Sequence, residues 1–344
     1  MQVTTLGIDL AKNVFQVHGV DAQGRQVFSK ALRRSQLRNF VAQLPACRIG
    51  MEACGSAHYW ARELQALGHE VRLMAPQFVK PYVKTNKNDR ADAEAICEAV
   101  TRPNMRFVPI KTPDQQAVLA LHRVREGQIK ARTAQANQVR GLLAEFGIVV
   151  PQGMAALFRE LPGILEDAEN GLPDLFRTLL ADRLEELRRL EQAVKEQERQ
   201  IQAWHRSHAV SRRLAEIPGI GPISATALVA AIGHARYFKN GRQLAAWMGL
   251  VPKQHSSGGQ SNLLGISKRG DRYLRMLLIH GARSALLADQ RRGEGGDPWL
   301  EGLRQRRCSN VATVALANKN ARTVWALMAH DRTFDPGLRG GAAA

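Results

Sequence analysis

The sequence predicts a mixed α/β first part joined to a mostly helical remainder. Three observations carry that expectation. Short apolar strands alternate with helical stretches through the first hundred residues. Long runs with helical spacing follow from Asp114 to about residue 210. Glycine-punctuated helices fill the rest.

Taken in order, Gln2–Leu10, Val14–Val20 and Gln26–Ser29 read as an antiparallel meander, with a polar turn at Asp21-Ala22-Gln23-Gly24. Arg34–Leu44 is expected to be helical, Arg48–Glu52 a strand, Ser56–Leu67 a helix, and Glu70–Met74 a strand ending before Pro76. Asn86–Ile96 reads as a helix. The pattern suggests a mixed sheet with helices on its faces.

A long helix is expected from Asp114 to Phe146. Its cations, among them Arg123, Arg125, Lys130, Arg132 and Arg140, are of a kind suited to phosphates or to an ordinary solvated face. Leu187, Leu190, Val194, Ile201 and Trp204 are spaced 3, 4, 7 and 3 apart, a heptad seam with Gln197 at the missing position. That seam suits an intramolecular helical hairpin or a coiled coil between chains. Further on, Ile217-Pro218-Gly219-Ile220-Gly221 before Pro222–Leu228 matches a helix-hairpin-helix pattern with an amphipathic second helix. Gly219 and Gly221 would present amide N–H groups to phosphate. Ser256-Ser257-Gly258-Gly259 then precedes Lys268, Arg269, Arg272 and Arg275. It reads as a polar turn, or as a nucleophilic serine beside cations.

The 344 residues carry 49 Lys+Arg against 31 Asp+Glu, a formal net charge of +18, with a pI of about 10.5. Such an excess points to a polyanion. The charge is uneven: residues 1–165 hold 22 bases and 13 acids, residues 166–205 hold 6 and 10, and residues 206–344 hold 21 and 8. No apolar run is long enough for a bilayer, and Asp9 and Lys12 break any signal-peptide pattern, so a cytoplasmic nucleic-acid binder is expected. Cys47, Cys54, Cys97 and Cys308 form no C-x-x-C pair and are expected to be free thiols.

Four acids stand where a metal-dependent nucleic-acid enzyme needs them. Asp9 ends the first strand, Glu52 ends the fourth, and Asp89 and Asp92 stand at i and i+3 on one helix face. Carboxylates suit Mg²⁺ (or Mn²⁺), and paired ions clamp both oxygens of a phosphodiester displacement.

The motifs in this order resemble the IS110 family of transposases, in its IS1111 group. Gly7-Ile8-Asp9-Leu10-Ala11-Lys12, Met51-Glu52-Ala53, Lys87–Ala93, Ile217–Gly221, Gly249-Leu250-Val251-Pro252, Ser256–Gly259, Ile266–Gly270 and Asn310–Lys319 carry the resemblance over nearly the whole chain. It implies a RuvC-like domain of RNase H fold at 1–112 with Asp9, Glu52, Asp89 and Asp92 as its DEDD set. Long helices and a coiled coil would occupy 113–210, and a transposase domain with an essential serine, Ser256 or Ser257, would occupy 211–335. The tail at 336–344 is expected to be disordered. The resemblance further implies donor and target DNA, a structured non-coding guide RNA, a homodimer with a composite site, and a tetramer at synapsis. The rivals are a metal-dependent nuclease or junction resolvase using water, and a non-enzymatic nucleic-acid-binding protein, which leaves the ordered acids unexplained.

Overall fold

A computed structural model describes residues 2–84, 88–292 and 296–335. Contacts divide the chain into two units, Met1–Pro113 and Asp114–Ala344. The expected helix residues Asn86 and Lys87, part of the stretch from Arg291 to Pro298, which its glycines mark as an expected loop, and the tail from 336 lie outside the described residues.

The first unit is built on a six-stranded sheet of β1 (Thr5–Asp9), β2 (Val14–Val20), β3 (Gln26–Arg33), β4 (Arg48–Glu52), β5 (Glu70–Met74) and β6 (Phe107–Val108), ordered β3-β2-β1-β4-β5-β6. β1, β2 and β3 form the antiparallel meander, β4 and β5 continue it in parallel from β1, and β6 returns antiparallel to β5. β3 runs to Arg33, beyond its expected end, because residues 30–33 pair with residues 14–17 of β2 despite their polarity. The first helix shortens accordingly to α1 (Leu37–Ala42), and α2 (Ala57–Ala66) follows β4. Leu6, Ile8, Phe15, Val17, Ile49 and Met51 bury one sheet face together with Leu37, Val41, Trp60 and Leu64 of these helices. α3 (Pro76–Val79) is a single turn, and α4 (Asp89–Ala99) covers the opposite face.

The second unit opens with α5 (Pro113–Ala144, its first residue closing the first unit), α6 (Met154–Glu166) and α7 (Asp174–Ser207). Ala136, Val139 and Leu143 of α5 pack with Leu157 and Leu161 of α6 and with Leu180, Leu184 and Leu187 of α7. The heptad seam is thus used within the chain: Leu187, Val194 and Ile201 are buried. Arg125 bonds Glu198 at 2.6 Å and Arg132 bonds Glu191, a descending register that makes α5 and α7 antiparallel. This corrects part of the basic-face expectation. Arg132 faces its acidic neighbour, and Lys130 pairs with Glu126 at 2.6 Å, while Arg123 remains exposed.

Next come α8 (Ala209–Leu214), α9 (Pro222–Ile232), α10 (Gly241–Trp247), the hairpin β7 (Pro252–Gln254) and β8 (Leu263–Ile266), α11 (Arg272–Arg291), α12 (Pro298–Arg306) and α13 (Ser309–His330). α9 is not amphipathic as expected. Every residue from Ser224 to Ile232 is buried, because α8, α11 and α7 pack around it.

His122 of α5 shows how tightly this core is tied. Its Nδ1 lies 2.9 Å from the Tyr273 hydroxyl and its Nε2 lies 3.0 Å from Thr226 Oγ1, while Thr226 donates to Pro222 O at 2.8 Å. With the Thr226 proton so used, Nε2–H must donate to Thr226, and Nδ1 accepts from Tyr273. Burial first, then Arg125, lowers the His122 pKa from 6.5 to about 4. A depressed folded pKa means that the unfolded chain binds the proton first, so stability is full above about pH 6.5 and falls as the pH drops toward 4. The shift corresponds to roughly 3 kcal/mol. Urea unfolding at pH 7 and pH 4 is expected to show this loss in the unchanged chain beyond that in His122→Gln; equal losses would refute it.

Candidate acidic site and serine hairpin

Two glycines bring α4 onto the sheet. A β-carbon at Gly7 would lie 2.2 Å from Ala93 O and 2.6 Å from Cys97 N; one at Gly50 would lie 2.8 Å from Val100 Cβ and 3.2 Å from Ile96 O. Cys97 Sγ also lies 3.8 Å from Thr5 O, so the helix runs back along β1, its first turn lying toward the strand's C-terminal end.

That path gathers the acids. Side chains two apart on a strand share a face, so Asp9 follows Gly7 and Glu52 follows Gly50 on the α4 side. Positions four apart on a helix share a row, so Asp89 precedes Ala93 and Asp92 precedes Ile96. Four helix residues rise about 6 Å, and two strand residues about 6.6 Å. Asp89 is therefore carried toward Asp9, and Asp92 toward Glu52. Asn88 fixes the start of α4 by accepting from Ala91 N at 2.8 Å. Both aspartates also suit the positive end of the helix dipole, a structural role that needs no ligand.

Two further groups stand on this side. The Cys54 thiol, exposed after the end of β4, is pushed up by desolvation first, then by the Glu52 and Asp9 carboxylates. His18 pairs with Gly7 in register; its pKa is lowered by burial first and by Arg90, against a raising effect from Glu94. The β2 alternation places His18 with Gln16, a signal that sequence reading passed over. Chemically, four carboxylates fit a hard cation such as Mg²⁺. Among the described residues, no three His, Cys, Asp or Glu side chains stand close enough to share a metal ion. The acids share a face without closing around a point.

The serines occupy a hairpin tip. Gly258 and Gly259 have φ of 56° and 80°, and Gln260 N donates to Ser257 O at 3.0 Å, the marks of a type I′ turn. Ser256 Oγ accepts from Gln254 Nε2 at 2.9 Å and from Asn262 N at 3.3 Å. Ser257 opens the turn, and the tip is exposed throughout. The hairpin root is closely packed: a β-carbon at Gly249 would meet Arg269 O at 2.0 Å, and one at Gly270 would meet Trp247 O at 1.8 Å.

This geometry corrects the expected neighbourhood of serine and cations. Lys268 N bonds Gly249 O at the root, on the order of 20 Å from the tip at about 3.3 Å per residue. Arg275 is engaged, donating to Met248 O at 3.1 Å and to Arg269 O at 3.5 Å. Lys268, Arg269 and Arg272 are exposed around the α11 N-terminus, which Asp271 caps. Gly219, with φ of 88°, backs onto the Gly281 carbonyl, where a β-carbon would lie 2.5 Å away. Its role in the fold is close helix approach, whereas Gly221 at the start of α9 faces open space.

Comparison with known proteins identifies the family, with one model crossing the boundary between the two units. A family model described as Transposase IS116/IS110/IS902 family matches residues 211–294, and another, described as Transposase, matches residues 6–148. The chain is 54% identical over 338 residues to a probable family 20 transposase of Pseudomonas aeruginosa, covering 98% of this chain and 100% of that one. It is 43% identical over 332 residues to the transposase for insertion sequence element IS1111A of Coxiella burnetii, covering 96% of this chain and 91% of that one. It is 42% identical to the transposase for IS1328 of Yersinia enterocolitica, over 96% and 98% of the two chains. With whole-chain identity at this level and a matching model over each unit, the chain belongs to the IS110 family of insertion-sequence transposases, within its IS1111 group.

Proposed function

We propose that this transposase cuts and rejoins DNA through a RuvC-like acidic site and a serine nucleophile. The observation that carries the reading is the placement of Asp9 and Glu52 at adjacent parallel strand ends, facing the first turn of α4 with Asp89 and Asp92. The four carboxylates would hold Mg²⁺ or Mn²⁺, which when bound polarises the phosphate and stabilises the leaving oxygen. The seryl oxygen of Ser256 or Ser257 displaces one ester oxygen from phosphorus. A phosphoserine bond forms, one P–O bond of the strand breaks, and the departing DNA oxygen takes a proton from solvent to leave as a free hydroxyl. The seryl proton passes to solvent. A hydroxyl of the exchange strand then displaces serine, so the number of phosphodiester bonds is conserved without an external energy source.

The acids and the serines belong to different units of the chain. Following the family resemblance, we read the site as composite, with the hairpin of one subunit serving the acids of another in a dimer, and with two dimers at synapsis. Exposed Lys268, Arg269, Arg272 and Arg123 would hold backbone phosphates. Donor and target would be selected by pairing with a structured non-coding RNA of the element. Because the acids stand in a unit that lacks the serines, hydrolysis by water is the second reading.

Wild-type protein, end-labelled DNA and Mg²⁺ on a denaturing gel separate the two. The expected result is a slow-migrating protein–DNA adduct that is absent in EDTA. Cleavage with no adduct at any time would favour the hydrolase, and cleavage in EDTA would remove the metal from the reading.

A further inference from the structure

At the sheet end that carries Asp9 and Glu52, but on the opposite face, a shallow open depression lies beside β2, β3 and α2. The register fixes this location: Val14 pairs with Arg33, and Arg34 N donates to Asn13 O at 2.8 Å, where β2 begins and β3 ends. The lining includes Asn13, Arg33, Arg34, Ser35, Tyr59 and Trp60.

The lining is chemically specific. Arg33 and Arg34 are exposed cations. Arg34 is held in place, its guanidinium 5.4 Å from the Trp60 ring and 5.7 Å from the Phe15 ring, with Nη1 3.4 Å from Lys12 O. Tyr59 leaves 45% of its surface open, and its ring stands edge-on to Trp60 at 5.3 Å. Trp60 is only 5% exposed, yet its indole Nε1 has no hydrogen-bond partner.

Two guanidinium groups and an open phenol ring match parts of one nucleotide. Arginine pairs with phosphate oxygens, and an aromatic face stacks with a base. A base within a duplex is stacked on its neighbours and cannot offer its face. We propose that this depression binds an unpaired nucleotide of a nucleic-acid strand at the same sheet end as the acidic site, on the opposite face of the sheet. The inference rests on the nucleic-acid reading above but on no chemical step.

The test is anisotropy with labelled oligo(dT), oligo(U) and a short duplex, using the full chain in EDTA at fixed salt. Tyr59→Ala is expected to weaken single-strand binding about tenfold or more, with duplex binding unchanged and Tyr59→Phe like wild type. Arg33→Ala should flatten the single-strand salt slope by about 0.7. The oligonucleotide that loses most identifies the strand as DNA or RNA. A photoreactive 5-iodouracil strand should cross-link to Tyr59. Unchanged single-strand affinity in Tyr59→Ala, equal loss on duplex, or cross-links confined to other segments would overturn the proposal. Because no cleavage is read, a chain that never cuts DNA leaves this result standing, and the reverse holds as well.

Discussion

Asp9→Asn is expected to abolish strand cleavage while leaving nucleic-acid affinity near that of the unchanged chain. Asparagine keeps the size of the side chain at the end of β1, so the pairing of Asp9 with Gln16 survives. What is lost is one anionic oxygen donor out of four. A loss on the order of a thousandfold in rate corresponds to about 4 kcal/mol of barrier. Binding rests on a chain of net charge +18, on which the substitution adds a single positive unit. Cleavage at the wild-type rate in Mg²⁺ would remove Asp9 from the chemistry. A parallel loss of affinity would point to misfolding.

The joint replacement Ser256→Ala with Ser257→Ala is expected to eliminate both the covalent adduct and strand exchange. Folding should be retained, since the hairpin tip is exposed and the tight contacts at Gly249 and Gly270 lie at its root. The single variants distinguish the two hydroxyls: Ser256 Oγ is tied to Gln254 and Asn262, whereas Ser257 stands at the turn. Mixing the double-serine variant with Asp9→Asn should restore part of the activity if one subunit supplies acids and another the serine. Strand cutting at full rate by the double variant would show that water, not serine, is the nucleophile.

Much of the architecture was legible because local and tertiary signals agreed. The bounds of β4 and β5 follow directly from apolar runs ended by turn residues. β6 was missed because two residues carry no periodicity. α9 was misread because burial on every side depends on neighbours distant in sequence. The cations of α5 and the acids of α7 were each visible, but not that Arg125 and Arg132 face Glu198 and Glu191. The Ser-Ser-Gly-Gly segment was read as a turn, and its paired glycines were a hairpin signal left unused. The acids could be picked out one by one, and the i, i+3 spacing of Asp89 and Asp92 was plain. Their gathering on one face with Asp9 and Glu52 depended on where α4 crosses β1 and β4.

That crossing is set by atoms the chain lacks. At Gly7 and Gly50 the sheet offers bare backbone, and the helix settles at a depth no larger residue permits. These glycines act as a spacer of zero thickness between two pairs of charges, each two residues from a carboxylate. Adding one methyl group in Gly7→Ala lifts α4 and separates its aspartates from the strand acids with every charge retained. In a cleavage assay such a variant should resemble the loss of a carboxylate, and normal cutting by it would show that the reaction tolerates a looser gap.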